Sequence, residues 1–135
     1  MRDGQTRRLN KEDNGEGLAG YLRNHEVRLV VATGKNAGTH YVIGGERHLL
    51  GRGPGVDFAV DDQAMSRQHA AVEYDGRAYR IRDLGSTNGI SVNGNTVQVA
   101  ELSSGDRIEI GAHVLQFVVD VRESQPEVYE LTPEG

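Results

Sequence analysis

The chain has 135 residues, a net charge of −5 and no cysteine. This is room for one domain with tails and a real core; disulfides and thiolate metal sites are excluded, and the acidic balance argues against nucleic acid as the main partner. Eighteen glycines, no tryptophan and few aromatics suit many short strands and tight turns, no apolar run reaches membrane-spanning length, and the polar N-terminus has no signal-peptide core. A reducing, cytoplasmic location is expected.

Residues 1–25 read as a flexible arm. Asp3-Gly4, Asn14-Gly15 and Gly17 break any regular pattern, and charge is dense. Leu18, Tyr21 and Leu22 fall at helical spacing, enough for one amphipathic turn that is marginal without something to pack on. The folded part is expected over 26–121. Val27 to Val31 reads as a buried strand ended by Gly34. Gly34-Lys35 is not a phosphate loop, because no Ser or Thr follows the lysine and no glycine lies upstream at the needed spacing. Thr39 to Ile43, a Gly44-Gly45 turn and Arg47 to Leu50 are expected to close a hairpin-like pair. Gly51-Arg52-Gly53-Pro54-Gly55 imitates a dinucleotide fingerprint, but Pro54 and the short run Phe58-Ala59-Val60 deny the helix that must follow.

The plainest hairpin runs from Gln68 to Tyr74, through a two-residue Asp75-Gly76 turn, and back from Arg77 to Asp83. In the return strand Tyr79 and Ile81 face inward, while Arg80 and Arg82 face out as solvated charge. Asp83 does not open a calcium loop, since Gly85 and Thr87 stand where the next ligands belong; it is expected to tie its loop together through backbone bonds. Thr96 to Val99, Arg107 to Gly111 and Val114 to Val121 supply the remaining strands. Ile108, Ile110, Leu115, Phe117 and Val119 show the alternation of a sandwich strand. Residues 122–135, with one arginine, four glutamates and a local charge of −3, read as an acidic tail.

The loops between these strands hold two cations (Arg52, Arg67), three hydroxyls (Ser66, Ser86, Thr87) and a side-chain amide (Asn88). Converging donors without a base suit a site that grips an oxyanion, not one that turns over a substrate. Ser66 and His69 could suggest a hydrolase, but Ser66 is not in a nucleophile elbow and only distant Asp83 could serve as a third member. His69, entering Ala70-Ala71-Val72, reads as a partly buried structural residue. The other histidines are scattered without ligand spacing, so neither a metal nor a cofactor is expected.

Gly51-Arg52, then Ser66-x-x-His69, then Ser86-Thr87-Asn88-Gly89, then Asn93-Gly94, resembles the forkhead-associated (FHA) domain over roughly residues 27–121. The phrase from Glu101 to Ile108 is similar to that family's closing segment. The resemblance implies an all-β sandwich of two mainly antiparallel sheets with recognition loops at one end. It also implies a phosphothreonine-peptide reader without catalysis. On it, Arg52 is the main phosphate-binding residue. Ser66, by hydroxyl and backbone N–H, and Thr87 add donors. Arg67 supplies charge or touches the peptide backbone, and Asn88 grips the peptide main chain. Gly51, His69, Asp83, Ser86, Gly89, Asn93 and Gly94 support the site, with Gly89 and Gly94 at positive φ. Ile90 stands where many members have threonine, at the start of a strand and outside phosphate capture.

The family further implies a preference for phosphothreonine over phosphoserine, and a partner that is a Ser/Thr kinase or its substrate. Flanking selectivity would lie around Gly53 to Val56 and Asp61 to Ala64; if Asp61 and Asp62 point inward, they would disfavour acidic peptides. Thr6, beside Arg7-Arg8, is a candidate phospho-acceptor for binding in cis or in trans, as some bacterial members use an N-terminal threonine. Two other classes stay open: an adaptor with this fold that ignores phosphate, and a Ser/His hydrolase.

Overall fold

The computed structural model describes residues 17–34 and 36–122. Thr6 and the acidic tail beyond residue 122 lie outside them. Helix α1 spans Gly17–Asn24, and eleven strands follow: β1 His25–Val31, β2 His40–Ile43, β3 Arg47–Gly51, β4 Phe58–Ala59, β5 Ala70–Tyr74, β6 Tyr79–Asp83, β7 Ile90–Val92, β8 Asn95–Val97, β9 Val99–Glu101, β10 Arg107–Ile110 and β11 His113–Val121. One sheet has the order β2-β1-β11-β10-β7-β8 and the other β4-β3-β5-β6-β9. Except for the short parallel pair β3–β4, the pairings below are antiparallel.

Alternation makes the core. Along β1, Val27, Leu29 and Val31 point inward, and along β11 Leu115 and Phe117 do. From the other sheet Leu50, Ala70, Val72, Tyr79 and Ile81 meet them, all essentially buried. The rings of Tyr79 and Phe117 approach to 6.1 Å across the layers.

Three local expectations are corrected. Thr39–Ile43 and Arg47–Leu50 do not form a hairpin. β2 pairs with β1 (Val27↔Ile43) and β3 with β5 (Leu50↔Ala70), so the chain crosses between sheets at 44–46. The crossing is held by Tyr79 Oη donating to Gly45 O at 2.9 Å and Gly45 N–H donating to His48 Nε2 at 3.0 Å. The β5–β6 loop has four residues, because Tyr74 pairs with Tyr79. Asp75 Oδ1 takes the N–H groups of Arg77 and Ala78, each at 2.9 Å, and this side-chain turn displaces the two-residue one. Finally, 96–99 is not one strand: β8 ends at Val97 and β9, in the opposite sheet, begins at Val99.

The chain divides into two compact units, the sandwich Val27–Val119 and a second that contains α1. Within the second, helix α1 is two turns where one was expected. The Arg122 N–H and Nε donate to Asn24 O at 2.8 Å and to Leu22 O at 2.9 Å. Tyr21 and His25 stack with their centroids 4.2 Å apart.

Candidate functional site

The segment after β3 and the one before β5 run side by side. The N–H groups of Arg52 and Gly53 donate to the carbonyls of Ser66 and Arg67, and His69 N–H donates to Leu50 O at 2.8 Å. Gly51 is what lets them meet, since a Cβ there would lie 1.9 Å from Arg67 O. Arg52 and Arg67 therefore emerge together at one end of the sandwich.

His69 is fully buried and binds two loops. Its Nδ1 accepts the Ser66 N–H at 3.0 Å and its Nε2 donates to Gly89 O at 2.8 Å. Accepting at one nitrogen and donating at the other defines a neutral ring with the proton on Nε2. This corrects one expectation: the Ser66 N–H is committed to His69, which leaves Ser66 its hydroxyl alone for a ligand. The two bonds also occupy both ring nitrogens, so neither is free to serve Ser66 Oγ as the base of a nucleophile–base pair.

The 83–89 loop is tied from within. Asp83 Oδ2 accepts the N–H groups of Gly85 and Ser86, each at 3.2 Å. Ser86 Oγ donates to Asp83 Oδ1 and accepts the Gly89 N–H at 2.9 Å. Gly89 takes φ +75°. Thr87 N–H then reaches across to Ser66 Oγ at 3.1 Å. The Ser66 hydroxyl, as acceptor in that bond, keeps its own hydrogen for a ligand.

One open pocket of about 360 Å³ results, lined by Arg52, Gln63, Ala64, Met65, Ser66, Arg67, Thr87 and Asn88. All five residues expected to bind phosphopeptide are there, from three loops, and no carboxylate is. Arg52 Nε donates to Met65 O at 2.8 Å, which fixes the guanidinium while leaving its two terminal NH2 groups to a ligand. Asn88 Nδ2 donates to Ala64 O at 2.8 Å and keeps Oδ1 as a free acceptor.

Asn93 and Gly94 lie elsewhere. They make the two-residue β7–β8 turn at φ +52° and +88°. Asn93 Oδ1 accepts the Arg107 N–H and its Nδ2 donates to Asp106 Oδ1, each at 3.0 Å.

Sequence reasoning placed Ala64 only in a segment for flanking selectivity and missed Met65; the contribution of each is a backbone carbonyl with no residue-type signature. Gln63 shows only as an exposed amide. The condition set for Asp62, that it point inward, is not met, since it does not line the pocket. Asp62 is buried and accepts from Ala64 N–H, Ala112 N–H and His113 Nδ1 at 2.7–2.8 Å. Burial works against its ionised form, but the His113 bond and the two N–H groups outweigh that and hold its pKa below the usual aspartate value. Asp61 is exposed and does not line the pocket.

A two-sheet sandwich that gathers two arginines, two hydroxyls and an amide at one loop end has the donor set of a recognition module for an anion. The FHA domain model matches residues 48–111, and the chain belongs to the FHA family. It is 38% identical over 96 residues to an oxoglutarate dehydrogenase inhibitor of Corynebacterium jeikeium, spanning 71% of this chain and 67% of that protein. It is also 38% identical over 90 residues to the glycogen accumulation regulator GarA of Mycolicibacterium smegmatis, spanning 67% of this chain and 57% of that one. The chain thus matches between about half and two thirds of these relatives' length. A solved FHA domain from a study of phosphothreonine-dependent FHA interactions aligns with TM-score 0.64 and 32% identity, over 69% of this chain and 95% of that one. Among the described residues no helix is long and apolar enough to cross a membrane.

Proposed function

We propose that the chain is a phosphothreonine-dependent protein-binding adaptor without catalysis. The Arg52 terminal nitrogens, the Ser66 and Thr87 hydroxyls and Arg67 take the phosphate oxygens. Asn88 Oδ1 takes a main-chain N–H of the bound peptide and holds it extended. The observation that carries this reading is the pocket itself: five donor-bearing side chains from three loops around a carboxylate-free space, with the Arg52 fork already anchored. Such a fork binds a phosphate through paired, charge-assisted bonds at little further ordering cost.

The partner is a protein phosphorylated on threonine, hence a Ser/Thr kinase or its substrate, met in the cytoplasm. Relatives named as an inhibitor and a regulator support a controlling role by binding. Thr6 is a candidate acceptor for binding in cis or in trans. The test is fluorescence polarisation with a degenerate peptide library centred on phosphothreonine, beside the same library with phosphoserine and with plain threonine. Micromolar binding confined to phosphothreonine is expected. Equal binding to plain threonine would favour an adaptor that ignores phosphate.

A further inference from the structure

The two carbonyls that anchor Arg52 and Asn88 belong to one short turn, and a buried carboxylate governs it. Asp62 Oδ1 accepts the Ala64 N–H at 2.8 Å, and Asp62 O accepts the Met65 N–H at 3.0 Å. The carbonyls of these same residues then receive Asn88 Nδ2 and Arg52 Nε. The other carboxylate oxygen, Oδ2, faces the β10–β11 turn, where it accepts Ala112 N–H at 2.8 Å and His113 Nδ1 at 2.7 Å.

His113 is 9% exposed, and its Nε2 is buried with no hydrogen-bond partner among the described residues. Asp62 is therefore the ring's polar anchor. The turn is pressed onto the carboxylate, since a Cβ on Gly111 would lie 2.6 Å from Asp62 Oδ2 and 2.5 Å from Met65 Cγ. Asp62 and His113 stand 51 residues apart, and neither touches the pocket.

We infer that Asp62, clasped by His113 and the Ala112 N–H, is a positioning residue of the reader pocket, fixing the 62–65 turn so that its carbonyls aim Arg52 and Asn88 at the ligand. This rests on the phosphopeptide reading above, because it concerns how that same site is held. The reason is preorganisation. Arginine carries several rotatable bonds, and a guanidinium fixed before the ligand arrives loses less freedom on binding. A turn that drifts releases both anchors together. The chemistry requires a carboxylate. An asparagine in that place, in either orientation, would set its NH2 against a backbone N–H, of Ala112 or of Ala64, and leave a buried donor facing a donor.

The test uses the full chain with Asp62→Asn and, separately, His113→Leu, titrated with the best phosphothreonine peptide from the library. The Arg52 Nε–H signal is followed by ¹H–¹⁵N NMR in the free protein. Asp62→Asn is expected to weaken binding about tenfold, the low end of what losing an outer-shell partner costs at metal sites, where a ligand is likewise held by a residue behind it. It is also expected to shift or broaden the Arg52 Nε–H signal, which a role confined to stability would leave in place. In an Arg52→Ala background its effect on affinity should shrink at least about threefold, the non-additivity of residues acting through one another.

His113→Leu keeps an apolar body in the space and removes one donor, so a loss of about threefold is expected. It carries the same test if Asp62→Asn does not fold. A folded variant with wild-type affinity and an unmoved Arg52 Nε–H signal overturns the inference, as does a loss fully additive with Arg52→Ala. Wild-type protein indifferent to the phosphopeptide would instead overturn the reading of the site. The NMR signal in free protein separates the two failures.

Discussion

Two groups of arginines in this molecule have opposite fates. On the outer face of the five-stranded sheet, Arg47 and Arg82 both reach Glu73, at 2.9 and 3.1 Å, and Arg80 reaches Asp75 at 3.3 Å. At the loop end, Arg52 and Arg67 have no carboxylate partner among the described residues, and Arg52 is held by a carbonyl instead. A carbonyl orients a guanidinium without cancelling its charge. The charge there is left uncancelled, as the proposed phosphate site requires, whereas on the sheet face carboxylates already offset it. Arginine content alone says little about a site; what matters is which arginines are ordered and left unneutralised.

The contrast can be broken at several points. The largest effect is expected at Arg52. Arg52→Ala should reduce phosphopeptide affinity by at least about tenfold, since losing one member of a desolvated charge-assisted pair costs about 2–5 kcal/mol. Its thermal midpoint should stay near that of the wild type, because the side chain is exposed. A calorimetric titration and a melting curve read the two together.

His69→Phe comes next. It keeps the ring's bulk but strands the Ser66 N–H and the Gly89 carbonyl, for a cost of about 2–4 kcal/mol in denaturant unfolding. Gly51→Ala forces the Arg67 carbonyl away and should cost about 1–3 kcal/mol, with affinity falling as the two strands part.

Acid should act more gently. The hydrogen bond from Arg47, reinforced by Arg82, holds Glu73 below the usual carboxylate range against burial. The N–H groups of Ala78 and Arg77 do the same for Asp75. Asp62 is likewise lowered. Where the folded pKa is the lower one, the unfolded chain binds more protons in the interval between the two. The contribution to stability is complete above the unfolded values and is lost as pH falls through the folded ones. Melting temperature should therefore decline from about pH 5 towards pH 3; a rise over that interval would contradict these directions. The smallest effect is expected for Arg82→Ala: under about 1 kcal/mol in stability, because exposed pairs contribute little, and no change in phosphopeptide affinity.

These residues also show what a sequence can disclose. Arg52, Ser66, Thr87 and Asn88 are legible as a set of donors in successive turn-rich loops between strands of period two, and it is the resemblance to the FHA domain that singles them out; the structure brings them to one pocket. The fold class is legible through alternation such as Tyr79, Ile81 on one side and Arg80, Arg82 on the other. What stays hidden is set by pairing at a distance. Nothing around Gly44-Gly45 says that β2 and β3 belong to different sheets, since that depends on their partners β1 and β5. Nothing near Gln98 marks a strand that changes sheets. The Ala64 and Met65 carbonyls carry no residue signature, and Asp62 meets His113 only after the chain has closed on itself. The Ser66 N–H was misassigned because its competitor, His69 Nδ1, can be located only in three dimensions.

The most direct test of the central claim, that Arg52 acts on the phosphate, is a thermodynamic cycle. One peptide, phosphorylated and unphosphorylated on its threonine, is titrated calorimetrically against wild-type and Arg52→Ala protein. The expected result is strong coupling: at least about tenfold loss for the phosphorylated peptide, and a change within about twofold for the other. An equal loss for both peptides, or none for either, would contradict it.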